Sequence, residues 1–237
     1  MADPSFRPRP LNVRRHFDEE LRELEIKVQA MSAAAQDLVA QAVRGLVENN
    51  SQLYDQVIQG DDEVDFYYLD IERRIVALFA LQTPVATDLR FLTALLHINL
   101  HLERVADMAV NIAKIGQSVV DLPRSQVIIT HLSEMSGIAL KMIAASTDAF
   151  ARRDMELATK LPSMDDPLDR LNRGMMRAIL PISDDKRMLQ WAIGMHTVSR
   201  QIERIGDHAV DIAEQVAFLI TGEFREFTDA SHPDKAG

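Results

Sequence analysis

The sequence predicts an all-α protein made of two tandem, internally duplicated three-helix bundles. Three observations carry this. Apolar residues recur at helical spacing through nearly the whole chain, with no sustained strand-like alternation. Pro84, Pro123 and Pro181 stand between the long periodic segments, where helices start or end. Two stretches also repeat in register: "ERVADMAVNIA" at 103–113 matches "ERIGDHAVDIA" at 203–213. A second register, offset by 104 residues, pairs Met31 with Met135, Ser32 with Ser136, Asp61 with Asp165 and Asp65 with Asp169. The two registers differ by four residues, which unequal loops around Pro84 and Pro181 absorb. Solenoid units run about 20–50 residues, so a repeat this long means tandem domains.

In chain order, residues 1–15 read as a flexible basic tail. Arg7, Arg9, Arg14 and Arg15 face only Asp3 there, and a contact arm for an acidic partner is the sharper alternative. Helices are expected over roughly 17–49, 52–81 and 88–120, forming a first bundle within 16–122. Helices over 124–151, 154–180 and 184–221 form a second bundle within 123–225, and 226–237 reads as a disordered tail. Thr87 before Asp88 and Ser183 before Asp184 look like N-caps. Short connections favour antiparallel neighbours and hence bundles.

Composition narrows the function. The 237 residues include no cysteine, which excludes disulfides, thiolate metal sites and cysteine nucleophiles and suits a reducing compartment. The 26 basic and 36 acidic residues leave a net charge of −10, a surface that repels nucleic acid and anionic lipid on average. The longest uninterrupted apolar run, Ile75 to Leu81, is too short to span a bilayer. No Gly-rich phosphate loop, nucleophile elbow or nucleotide fingerprint is present.

The candidate chemistry lies in two acidic ladders. Glu103, Asp107 and Asn111 on the third helix, and Glu203, Asp207 and Asp211 on the sixth, are spaced i, i+4, i+8 and so share one stripe. Asp61 and Asp65 on the second helix, and Asp165 and Asp169 on the fifth, add a pair to each half. If the neighbouring helices pack antiparallel, these all-oxygen sets suit hard cations such as Mg²⁺, Mn²⁺ or iron. The bland alternative is a solvated face held by the i, i+3 pairs Arg104–Asp107 and Arg204–Asp207. Pro162 and Pro167 flank Asp165, so Asp165 or Asp166 could instead cap a helix starting at Pro167, parting Asp165 from Asp169. His97 and His101 stand four apart, but Ile98 replaces the glutamate of a zinc-protease helix, and the second half has Thr197 and Gln201 there. They read as a chance pair. A di-iron oxidase would need Glu-x-x-His, which neither Glu103 nor Glu203 begins.

The paired "LERVADMAVNIAK" and "IERIGDHAVDIAEQV", the "QTPVATDLR" turn at 82–90 and the opening "HFDEELRELEIKVQAM" at 16–31 together resemble the PhoU family over about residues 16–225. The resemblance implies two similar three-helix bundles, usually dimeric, with metal clusters on E(D)-x-x-x-D motifs. These fall on Glu103, Asp107, Glu203, Asp207 and Asp211, with Asp61, Asp65, Asp165 and Asp169 matching less closely. Asn111 replaces an acid in the first half, so the two sites need not be equivalent. Magnesium, manganese, iron and zinc are the candidate cations, and the residues do not choose among them. The implied role is repression of the phosphate-starvation response by a cytoplasmic, non-enzymatic protein at the membrane's inner face. Its implied partners are the phosphate ABC transporter ATPase and the sensor histidine kinase. The alternative is a helical metal-buffering protein, or a carboxylate metalloenzyme, without a phosphate-signalling role.

Overall fold

A computed structural model describes residues 11–82 and 84–227. It contains six α-helices in order: α1 (Leu11–Glu48), α2 (Ser51–Gln82), α3 (Thr87–Ser118), α4 (Gln126–Arg152), α5 (Met155–Ile179) and α6 (Lys186–Thr221), with a 3₁₀ turn at Leu180–Ile182. No strand occurs among the described residues. Helices α1–α3 pack into one bundle and α4–α6 into another, joined through α3 against α6 and α1 against α4. The expected all-α duplicated architecture is the one observed.

Each helix buries one stripe. On α6, Trp191, Met195, Val198, Ile202, Ile205, Ala209, Ile212, Val216 and Leu219 recur every three or four residues and are all buried. Each large aliphatic in such a stripe contributes roughly 1.5–3 kcal/mol of burial. Helix α4 is long and apolar enough, by length and composition, to cross a membrane, although no long unbroken apolar run lies in it. Its buried residues, among them Ile128, Leu132, Met135, Met142 and Phe150, belong to the core, and it packs against α1, α5 and α6.

The duplication extends to polar contacts inside each bundle. Asn99 Nδ2 donates to the Tyr68 carbonyl at 3.0 Å, and at the equivalent point Ser199 Oγ donates to Asn172 Oδ1 at 3.1 Å. Both bonds tie the middle helix of a bundle to its third. Volume is conserved differently. Buried Tyr54 lies against Gly45 and Gly116, where an added Cβ would stand 2.6 and 2.5 Å from its ring. The equivalent trio in the second half is Ala158, Ala149 and Val216, all buried. A large residue between two glycines has been exchanged for three of middling size, as close packing demands.

Several helix ends differ from expectation. Helix α1 begins at Leu11, six residues before the expected 17, and Arg15 Nε pairs with Glu19 at 3.0 Å inside it. Residues 1–10 of the proposed basic tail and 228–237 of the C-terminal one lie outside the described residues. Thr87 is the first helical residue of α3, not its cap, and Ala86 before it has a left-handed φ of 48°. Asp185, not Ser183, caps α6, its Oδ1 accepting from the Arg187 and Met188 amides. The Pro181 ring fits the 3₁₀ turn, which extends the chain past α5 and shifts the cap two residues on. Helix α5 starts at Met155, capped by Asp154, and runs unbroken through both Pro162 and Pro167. Neither Asp165 nor Asp166 is therefore an N-cap. Each proline removes one backbone hydrogen bond, yet Leu161 and Leu168 beside them are fully buried, and that packing holds the helix together.

Candidate functional site

Antiparallel packing of the second and third helices of each bundle determines where the acids fall. In the first half, Asp61 and Asp65 of α2 face Glu103 and Asp107 of α3. Burial lifts the Asp61 carboxyl to about 6, with Asp65, Asp107 and Asp62 reinforcing the rise and Lys114 opposing it. Glu103 is raised for the same reasons: burial first, then Asp107, with Asp65 and Asp61 also contributing. Asn111, one turn beyond Asp107, is exposed. Arg104 Nη1 donates to Asp107 Oδ2 at 3.0 Å, so one expected intrahelical pair does form.

In the second half the acids line a cleft of about 550 Å³. Its walls include Asp165 and Asp169 of α5 and Glu203, Asp207 and Asp211 of α6, joined by Arg173, Arg200 and Glu214. Gly206 explains why the cleft reaches so close to α6. A Cβ there would stand 2.7 Å from Asp165 Oδ1 and 2.5 Å from Leu168 Cδ2. The missing side chain lets the Asp165 carboxylate rest against the helix. Burial lifts Asp207 to about 6, with Glu203, Asp211 and Asp169 adding to the rise and His208 opposing it. Burial also raises Glu203, against the pull of Arg200. Arg173 holds Asp169 at 3.0 Å, whereas no ion pair joins Arg204 to Asp207 among the described residues.

The structure thus brings Asp61, Asp65, Glu103 and Asp107 together on one face, and Asp165, Asp169, Glu203 and Asp207 together on another. The raised carboxyls report burial first, with the neighbouring acids adding to it. The donor sets are all oxygen at their centres, the chemistry hard cations prefer, but among the described residues the one set of three ligand atoms within 4.8 Å of one another is His101, His208 and Asp211.

Asp211 departs from the ladder. Its Oδ2 lies 3.3 Å from His208 Nδ1 and 3.4 Å from His101 Nδ1, so it turns toward the seam between the halves while still lining the cleft. Burial pushes His101 down to about 4. His97 joins no candidate ligand group with His101 among the described residues, so their spacing remains a chance one. His101 instead meets a histidine of the other half.

Glu214, Phe227 and His208 carried no sequence signal of their own. Glu214 Oε1 accepts the Phe227 amide at 2.6 Å, anchoring the segment after α6 at the cleft. Burial raises the Glu214 carboxyl to about 7, the Phe227 amide opposing the rise and Asp211 and Glu226 adding to it. Glu214 lies three residues beyond Asp211 on the sixth helix, and its counterpart in the first half is Lys114, of opposite charge.

The PhoU domain profile matches the chain twice, over residues 28–116 and 132–216. A phosphate-specific transport system accessory protein PhoU homolog of Caulobacter vibrioides is 31% identical over 208 residues, covering 87% of this chain and 90% of that protein. The homolog of that name from Zymomonas mobilis is 32% identical over 211 residues, covering 87% of each chain. The crystal structure of PhoU from Pseudomonas aeruginosa superposes with a TM-score of 0.80 at 30% identity, covering 87% of this chain and all of that one. With both halves matched and relatives aligned over nearly their whole length, the chain belongs to the PhoU family.

Proposed function

We propose that this protein is a phosphate-transport accessory protein that represses the phosphate-starvation response when phosphate is plentiful. The observation that supports this best is the PhoU match in both halves, together with near-complete coverage of relatives named as phosphate-specific transport system accessory proteins. In this reading it is a regulator and not an enzyme. It acts as a homodimer at the cytoplasmic face of the membrane, where it contacts the phosphate transporter ATPase and the sensor histidine kinase.

The acidic faces are the second part of the proposal. Asp61, Asp65, Glu103 and Asp107 would hold one cation group, and Asp165, Asp169, Glu203 and Asp207, with Asp211 at the edge, another. A bound hard cation would neutralise the crowded carboxylates and stiffen each helix pair. The all-oxygen donor chemistry of the two faces supports this assignment.

The test is a clean deletion carrying a reporter of phosphate-scavenging genes. The expected result is reporter expression in high phosphate, reversed by the wild-type gene. Normal repression in the deletion strain would contradict the regulatory reading and leave a metal-holding helical protein.

A further inference from the structure

The seam between the two halves carries a cluster that the acidic faces do not require. Helices α3 and α6 run antiparallel across it, with Gly194 of α6 against Ile115 of α3 at one end and His208 against His101 at the other. His101 Nδ1 and His208 Nδ1 are 3.1 Å apart, and Asp211 Oδ2 lies 3.4 and 3.3 Å from them respectively. The two imidazole rings are tilted at 45° with centroids 5.2 Å apart. Both histidine side chains are only 17% exposed, while Asp211 at 42% opens the cluster to solvent.

We propose that His101, His208 and Asp211 form a zinc-type transition-metal site that staples the first half of the chain to the second.

The dimensions support this. Ligands around a tetrahedral zinc with bonds of about 2.0–2.1 Å stand ~3.3 Å apart. The triangle's edges of 3.1, 3.3 and 3.4 Å match the edge lengths of one face of that tetrahedron. Three protein ligands and a solvent-facing fourth position make the usual open zinc arrangement. Hydrogen bonding satisfies the cluster less completely. Asp211 Oδ2 only accepts, and one proton between the two Nδ1 atoms serves a single pair. Protons on both nitrogens could each go to Asp211 Oδ2, but only through long contacts of 3.3 and 3.4 Å, with the two nitrogens crowded to 3.1 Å. A cation at the centre satisfies all three atoms together.

The ligand chemistry also separates this site from the faces. Two imidazoles and a carboxylate favour zinc and its first-row neighbours over Mg²⁺. Among the described residues the site occurs once. Under the repeat, His101 corresponds to Gln201 and His208 to Met108, so the second crossing point of the same helix pair lacks the ligands. The proposal holds whether or not the protein represses phosphate genes, and it shares only Asp211 with the cation face proposed above.

The experiment uses the full chain, stripped with chelator and titrated with zinc in excess Mg²⁺. Wild type is compared with the double variant His101→Gln, His208→Met, which installs the residues of the equivalent positions and leaves every ladder acid in place. The expected result is one tight zinc per chain in wild type, weakened at least tenfold in the variant. X-ray absorption of the zinc-loaded wild type should show two imidazoles in the coordination shell, a readout independent of how the variant folds. Equal zinc affinity in both proteins, or an all-oxygen shell, would overturn the proposal. The all-oxygen result would place zinc in the acidic cleft and leave the cation-face proposal standing.

Discussion

The two acidic faces share a scaffold and differ in charge. Asn111 and Lys114 of the first half correspond to Asp211 and Glu214 of the second, and Leu100 corresponds to Arg200. The first face is thus an acid cluster tempered by Lys114, while the second lines a cleft with two further acids and its own arginines. At the helix crossing, Ala106 of the first half stands where Gly206 of the second makes room for Asp165. Duplication has kept the positions that set backbone packing and let the surrounding charges drift. A helix pair tolerates charge changes on a half-exposed face at a few tenths of a kcal/mol each, whereas a core volume change costs several times more.

The sharpest break in this comparison is the Tyr54 exchange. Gly116→Val, which copies the second half, should drive a branched side chain into the Tyr54 ring and destabilise the protein by about 3 kcal/mol or more. Tyr54→Ala alone should cost about 3–5 kcal/mol through the cavity it leaves. Together the two should cost clearly less than their sum in denaturant unfolding, because each relieves the other's defect. Simple additivity would mean that the two halves do not solve the same packing problem.

Gly206→Ala should come next, at about 1–3 kcal/mol, since its Cβ meets both Leu168 and Asp165. It should also push Asp165 off α6 and weaken cation binding at the second face. Ala106→Gly in the first half should cost only about 1 kcal/mol, through helix propensity. Equal losses on chemical denaturation would show that Gly206 makes no special room.

The smallest expected effect is one of pH. Glu214 titrates at about 7 when folded, above its ordinary 4.5, so the folded state holds the proton more tightly. The stability this contributes is fully present below about 4.5 and is lost as pH rises through 7. Glu214→Gln should therefore stabilise the chelator-treated protein at pH 8 by roughly 1 kcal/mol after solvent screening, and leave it little changed at pH 4. Thermal unfolding across that range checks the slope. A variant whose stability parallels wild type at every pH would place Glu214 in open water.

Much of the fold was legible because periodicity and internal repetition are properties of the chain itself. Met31 with Met135 and Asp61 with Asp165 revealed the duplication before any contact was known. The path of α5 was not legible. Pro162 and Pro167 argued locally for a break, but burial of Leu161 and Leu168 outweighed two lost hydrogen bonds, and burial is a tertiary quantity. The acid clusters were readable as stripes, since i, i+4 spacing fixes a face. The triad of His101, His208 and Asp211 was not, because its two histidines lie 107 residues apart and meet only where α3 and α6 cross. The one trace left in the sequence was that both histidines break the repeat.

Titration of Mn²⁺ into two double variants tests most directly the claim that the faces hold cations, and hold them unequally. Glu203→Ala with Asp207→Ala should weaken binding on the order of tenfold more than Glu103→Ala with Asp107→Ala, because ligand charge dominates affinity for hard cations. Both proteins should stay folded, as judged by circular dichroism. If neither variant loses Mn²⁺ affinity, the acids are solvated surface and the account of the two faces is wrong.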